Sequence, residues 1–351
     1  MAEAETVLNT KVDAPPAEQR PARRPRKLAD IIASQFAALR TYHRAVLDTE
    51  SIDAVHKMRV TTRRLQASLD LLAREMKVRK HKKRLRGWRR RLSTVRNLDV
   101  FLEMLEKEAE SRGRTRREQL ELVKSILLER RVQRSAKVKR FLQDINIDAI
   151  AIGLGLSTPA ITEIPDASPA IDDARDEAPE LESPAATMII DEQSVAGYAA
   201  ERLDQRLVEF QALAAQSHPT NDPSELHQLR IAAKRVRYLL EIVSDMGYGD
   251  ASRALTWLRT LQDRIGDWHD LEALEEEIIG IVASREFMKE NLSESGRMLQ
   301  AAAHLQKKKD KLVSRLFPVR VPQHLSLTSQ RIARALRRQS VSDRTPPPRN
   351  S

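Results

Sequence analysis

The stretch Val55–Leu72, VHKMRVTTRRLQASLDLL, decides the fold. Val55, Met58, Thr62, Leu65, Leu69 and Leu72 recur at alternating steps of three and four, the spacing that lines one stripe of an α-helix. His56, Arg59, Arg63 and Gln66 each follow a stripe residue by one position, so they lie about 100° further round the same helix. The spacing predicts a helix whose basic row borders its buried face, instead of lying opposite it where water solvates charge freely. The arrangement recurs at Leu226–Val243, LHQLRIAAKRVRYLLEIV. There Leu226, Leu229, Ala233, Val236, Leu240 and Val243 form the stripe, flanked by His227, Arg230, Lys234 and Arg237. Two copies of one unusual helix point to two halves around one basic site.

The next helix in each half repeats the geometry. Leu85, Trp88, Leu92 and Val95 are bordered by Arg86, Arg89, Ser93 and Arg96; Leu258, Leu261, Ile265 and Trp268 are bordered by Arg259, Gln262, Gly266 and His269. The sequences VRNLDVFLEML and WHDLEALEEEI end the matching helices. Between Lys77 and Arg91 the bases outnumber what one stripe holds, so some must face solvent or a ligand outside the core.

Along the chain, residues 1–27 read as a Pro-rich, basic, disordered arm and 28–145 as a first helical half, with helices over Leu28–Leu47, the opening stretch to about Glu75, Lys77–Leu105 and Thr115–Phe141. Residues 146–190 carry Pro159, Pro165, Pro169, Pro179 and Pro184 and are strongly acidic, which reads as a linker. Simple solvation explains that acidity; the sharper reading is an internal anion that competes for the basic site. Residues 191–320 form the second half, with Ser224 as N-cap of its basic-edged helix and a last helix over Met288–Leu316. Residues 321–351 read as a mobile basic tail in which Leu325–Arg338 has the pattern of a short amphipathic helix.

Composition narrows the class. Of 351 residues, 32% are charged and 4% aromatic, and there are ten glycines, a balance that favours an all-α protein with long Leu, Ala, Arg and Glu side chains. The formal net charge of +11 points to an anionic partner. With no cysteine there are no disulfides and no thiolate metal sites. The N-terminus has no signal-peptide core, and no apolar run is long enough to span a membrane, so the expected location is cytoplasmic.

No Walker-type glycine loop, GxSxG elbow or HExxH pair is present, so catalysis and a cofactor are not expected. His56 and His227 occupy equivalent positions, and the neighbours at helical spacing are cations that repel a metal. The alternatives for both histidines are a structural role at the helix start and donation to an anion by the imidazolium. Rows of Arg and Lys beside a buried stripe look into the groove where helices meet, and converging like charges there are costly until an anion binds. Arginine forks match phosphate oxygens bidentately and lysine adds a point charge. Trp88, Trp257 and Trp268 lie in or next to the apolar patterns, so stacking on nucleobases has no support and a string of phosphates suffices.

The paired His-x-x-Arg-x-x-x-Arg/Lys helices, each followed by a Trp-containing basic helix and then by LSTVRNLDV or IGDWHDL, resemble the conserved histidine α-helical domain, CHAD, over residues 28 to 320. The resemblance implies duplicated four-helix bundles related by a pseudo-two-fold, with a central basic channel that binds inorganic polyphosphate, and association with bacterial polyphosphate granules and their proteins. It assigns phosphate contacts to His56, Arg59, Arg63 and Arg64 and to His227, Arg230, Lys234 and Arg235. The stripes add Arg86, Arg89, Arg96, Arg237, Arg259 and His269. The Glu-x-Glu-x-Lys pattern of the triphosphate-tunnel domain that precedes some members is missing, so a coupled phosphatase activity is not expected. Nucleic acid is the alternative partner, and a metal-dependent phosphohydrolase the least favoured reading.

Overall fold

Ser51 starts the decisive helix: its hydroxyl accepts a hydrogen bond from the Ala54 amide at 3.4 Å. A capping oxygen satisfies one of the four amides that every helix start leaves without an intrahelical partner. The computed structural model describes residues 25–49, 51–110, 114–156, 189–217 and 223–341, and every regular element among them is a helix. In chain order these are α1 (Leu28–Thr49), α2 (Ile52–Leu71), α3 (Arg79–Glu110), α4 (Arg114–Gln143), α5 (Asp148–Ile152), α6 (Glu192–Gln216), α7 (Pro223–Asp245), α8 (Ser252–Val282), α9 (Arg285–Glu290), α10 (Leu292–Leu316) and α11 (Gln323–Val341). The protein is all-α. Every residue of the four apolar stripes, carried by α2, α3, α7 and α8, is buried.

In each half successive long helices pack as neighbours: α1 on α2, α2 on α3 and α3 on α4, then α6 on α7 and α7 on α8. The apolar side chains do not, however, divide into one core per half. A large core joins α1, α2, α6, α7 and α11 with the N-terminal parts of α3 and α8. A smaller one joins the far ends of α3 (Leu98, Phe101, Leu105) and α8 (Leu271, Leu274, Ile278) with α4 (Leu120, Val123, Leu127) and α10 (Met298, Leu305). Both cores draw on both halves. Long helices bury more area by running through two layers than by stopping at one, and α3 and α8 do so.

Three boundaries differ from the reading of the sequence. Residues 146–156, placed in the linker, are packed: Ile147, Ile150, Ala151, Leu154 and Leu156 are all buried, so the apolar side chains here tie the chain to the core before the acidic stretch begins. The remainder of that linker, 157–188, and residues 1–24 of the arm lie outside the described residues. Pro223 takes the first helical position of α7, where its missing N–H costs nothing and its φ is already helical, which puts Ser224 inside the helix and not at its cap. The helix expected over Met288–Leu316 is broken at Asn291, whose φ of −135° and ψ of 51° leave the helical region, while its carbonyl accepts from the Ser295 amide at 2.9 Å.

The largest correction concerns the tail. Residues 323–341 form α11, which packs on α6 and α8 and buries Leu325, Ile332, Ala333 and Leu336. In the first half the single helix α4, like α3, reaches both cores, through Leu120–Leu127 at one end and Val138 and Leu142 at the other. In the second half α10 serves the small core and touches the large one only at its end, through Leu316, while α11 serves the large one, with Pro318 and Pro322 between them. Truncating a fully buried leucine costs about 2–5 kcal/mol. Leu336→Ala should therefore destabilise the protein by that amount in chemical denaturation, whereas a residue on a mobile tail would give no change.

Candidate functional site

α2 touches α7 and α3 touches α8, so the seam between the halves is where the four basic borders meet. Within the first half the border residues interlock. Arg59 Nε donates to Ser93 Oγ at 2.9 Å, and Arg89 Nη1 donates to Gln66 Oε1 at 2.8 Å, pairing the α2 row with the α3 row. In the second half the rings of His227 on α7 and His269 on α8 stand 5.6 Å apart.

Across the seam the charges act on one another. Burial first, and then Arg63, Arg230, Arg59 and Arg237, push the Lys234 ammonium down to about 5. Arg59 is pushed down to about 9 by burial and by Arg63, Arg96 and Arg230. His269 is held at about 4 by burial and then by Arg230, His227, Lys234 and Arg59. Arg89 and Arg230 are lowered as well, burial leading in both. Arg59, Arg63, Arg89, Arg96, Arg230, Lys234, His227 and His269 are thus one electrostatic group drawn from four helices. Among the described residues none makes a hydrogen bond or ion pair with Arg63, Arg230 or Lys234, and the Nε atoms of Arg63 and Arg230 are buried. Concentrated positive charge that no ion pair neutralises is a site for an anion. On the α8 border a side chain at Gly266 would meet no atom within 4 Å, so there is open space beside these cations.

The other expected site residues sit differently. Arg64, Arg237 and Arg259 gather on Glu241 of α7, with N···O distances of 3.9, 3.5 and 3.9 Å, so an internal carboxylate partly offsets their charge. Arg235 is exposed and pairs with Glu209 of α6 at 2.9 Å, which takes it out of the seam. Arg86 is exposed and acts on Arg89 from the rim, and His56 is partly buried at the start of α2.

Two residues escaped the reading of the sequence. Asp270 faces the group as its internal counter-charge: burial raises its carboxyl above the usual range, against the pull of Arg230, Arg59, Lys234 and Arg96. It lies four residues after Gly266, on the same row of α8, which is the signal that would have found it. Tyr238 continues the row Arg230, Lys234 at i+4, and its hydroxyl is buried without a hydrogen-bond partner, although a buried Tyr normally finds one. Two clefts of about 600 and 390 Å³ open elsewhere, beside Gly247 and Arg338 and along Arg131–Gln143 of α4, away from the seam.

The empty site opposes folding in a way that pH reveals. Unfolded, Lys234 holds its proton up to the ordinary lysine range; folded, it gives the proton up above about 5. Between those limits the unfolded chain binds more protons, so stability rises with pH across the window. Lys234→Met should raise the Tm of the ligand-free protein at pH 6, with the gain shrinking toward pH 9. A variant less stable than the parent at pH 6 would count against this charge balance.

Known proteins share the fold. The CHAD domain family model matches residues 30–278. The crystal structure of the CHAD domain from the plant Ricinus communis is similar at 19% identity, covering 87% of this chain and 96% of that one with a TM-score of 0.57. PptA from Streptomyces chartreusis is similar at 16% identity, covering 83% and 97% with a TM-score of 0.51. At these identities the structures speak to the fold alone. A comparison with curated proteins returned no match. With a match over more than half its length, on the segment that carries all four basic-edged helices, the chain belongs to the CHAD domain family.

Proposed function

We propose that this chain binds inorganic polyphosphate at the seam of α2, α3, α7 and α8, without acting on it chemically, and thereby targets or organises polyphosphate granules in the cytoplasm. The observation that carries this reading is the convergence of Arg63, Arg230, Arg59 and Arg237 on largely buried Lys234, which has no carboxylate at ion-pair distance among the described residues. A phosphate chain supplies several anionic oxygens in succession, which answers several cations in succession. The family resemblance points to the same ligand. No helix among the described residues is long and apolar enough to cross a membrane.

The second reading, a nucleic-acid binder, needs planar side chains open to bases. Trp88 and Trp268, the aromatic residues on the stripes beside the site, are 7% and 4% exposed and committed to the core. This favours a ligand read through phosphates alone.

Binding assays at matched charge concentration separate the readings: long-chain polyphosphate should bind more tightly than single-stranded or duplex nucleic acid, and equal affinity for all three would favour the second. The logarithm of affinity should fall with that of salt by about 0.7 per phosphate neutralised. Combined replacement of Arg59, Arg63, Arg230 and Lys234 by Ala should abolish binding and granule localisation with helicity intact. The pH dependence has a definite sign. Lys234 and His269 are neutral in the empty site above about 5 and about 4, and a bound anion favours their charged forms. Binding then takes up protons, so affinity should weaken as pH rises from 5 to 8, with proton uptake seen by calorimetry in buffers of different ionisation enthalpy.

A further inference from the structure

Some bases on the surface of this protein have acidic partners. Lys57 pairs with Asp53 at 2.6 Å, Arg74 with Glu201 at 2.7 Å and Lys107 with Glu103 at 2.7 Å. The first three turns of α3 concentrate bases with no acid among them. Arg79–Arg91, RKHKKRLRGWRRR, contains no acidic residue. Lys82 turns inward to Asp70, Arg89 turns to Gln66, and Arg91 stacks over the Phe141 ring at 4.2 Å. Lys80, Lys83, Arg84 and Arg90 remain exposed, and among the described residues none of them has a hydrogen bond or ion pair.

Folding does not account for this face. Like charges three and four residues apart, as in Lys80 with Lys83 and Arg84, repel. Bases in the first turn of a helix also oppose its dipole, and α3 has no acid there to offset them. Gly87 lies in the middle of the same face, where glycine weakens a helix; a side chain there would meet nothing within 4 Å, so no neighbour requires its absence. A bare strip of backbone between rows of cations gives an extended ligand room to lie against the helix. The face is continuous with the seam through Arg86, which acts on Arg89.

We infer that the outer face of α3 from Lys80 to Arg90, about 15 Å at 1.5 Å per residue, is a second track for the polyphosphate chain that leaves the seam. The inference rests on the polyphosphate reading of the seam and adds a length dependence. A short chain occupies the seam alone; a long one is held along both.

The test compares tripolyphosphate with long-chain polyphosphate on the full chain. Combined Lys80→Gln, Lys83→Gln, Arg84→Gln and Arg90→Gln should weaken long-chain binding about tenfold and lower its salt slope by up to about 3, with tripolyphosphate affinity and helicity unchanged. Gly87→Glu, a surface change that leaves every cation in place, should weaken long-chain binding selectively in the same way. Long-chain affinity within twofold of the parent in both variants, or equal losses for the two ligands, would overturn the track. If the parent protein binds neither phosphate, the reading of the seam itself has failed, which this design distinguishes from failure of the track.

Discussion

Repulsion among cations held at the seam between α2 and α7 is the constraint on which the rest of the structure depends. Arg59, Arg63, Arg230 and Lys234 lie one helical step from fully buried side chains, so the apolar stripes cannot close without drawing the charges together. The opposing force is burial of apolar area in two cores, the large one alongside the basic rows of α3 and α8 and the small one beyond them. The small core is further tied by charge pairs between helices. Lys309 meets Glu275 at 2.5 Å, Lys308 meets Glu108 at 2.7 Å, and Arg130 and Arg134 share Glu277 at 2.8 and 2.9 Å. These contacts hold α4 and α10 against α3 and α8. Part of the stability is thus set away from the seam, which leaves the seam to remain unsatisfied.

The halves repeat a pattern without being electrostatic copies. Where the first half offers Ser93 and Arg96, the second has Gly266 and His269, followed by Asp270. The first half therefore presents charge that no pH near neutrality removes, fastened by side-chain hydrogen bonds at 2.8 and 2.9 Å. The second presents groups whose charge depends on protons and on the ligand, since Lys234 and His269 are both pushed toward neutrality. A polyanion bound across the seam meets a permanent cationic wall on one side and a responsive one on the other.

The helices and their buried faces were legible because spacing alone decides them. Each residue of the four stripes is buried, and the border position one step on located Arg59, Arg63, Arg230 and Lys234 within the seam. Reading a row by a single offset had a cost. It passed over Asp270 and Tyr238, which share the rows through i+4 spacing, and it gave the same weight to Arg235, which the structure pairs with Glu209. Local pattern does not say which acidic residue, distant in sequence, will stand opposite a base. Glu241 of α7 illustrates this, since it collects Arg64 from α2 and Arg259 from α8.

By itself the sequence determined that the chain is helical, that two of its helices are repeated with their basic borders, and that those borders lie beside buried faces. These are consequences of periodicity, and periodicity is local. Only the tertiary structure decided that residues 147–156 and 323–341 belong to the packed body, that both cores draw on both halves, and which cations lack an acidic partner. Each of those outcomes depends on what faces a residue from another helix. Burial and charge pairing are properties of such contacts, and no run of one helix contains them.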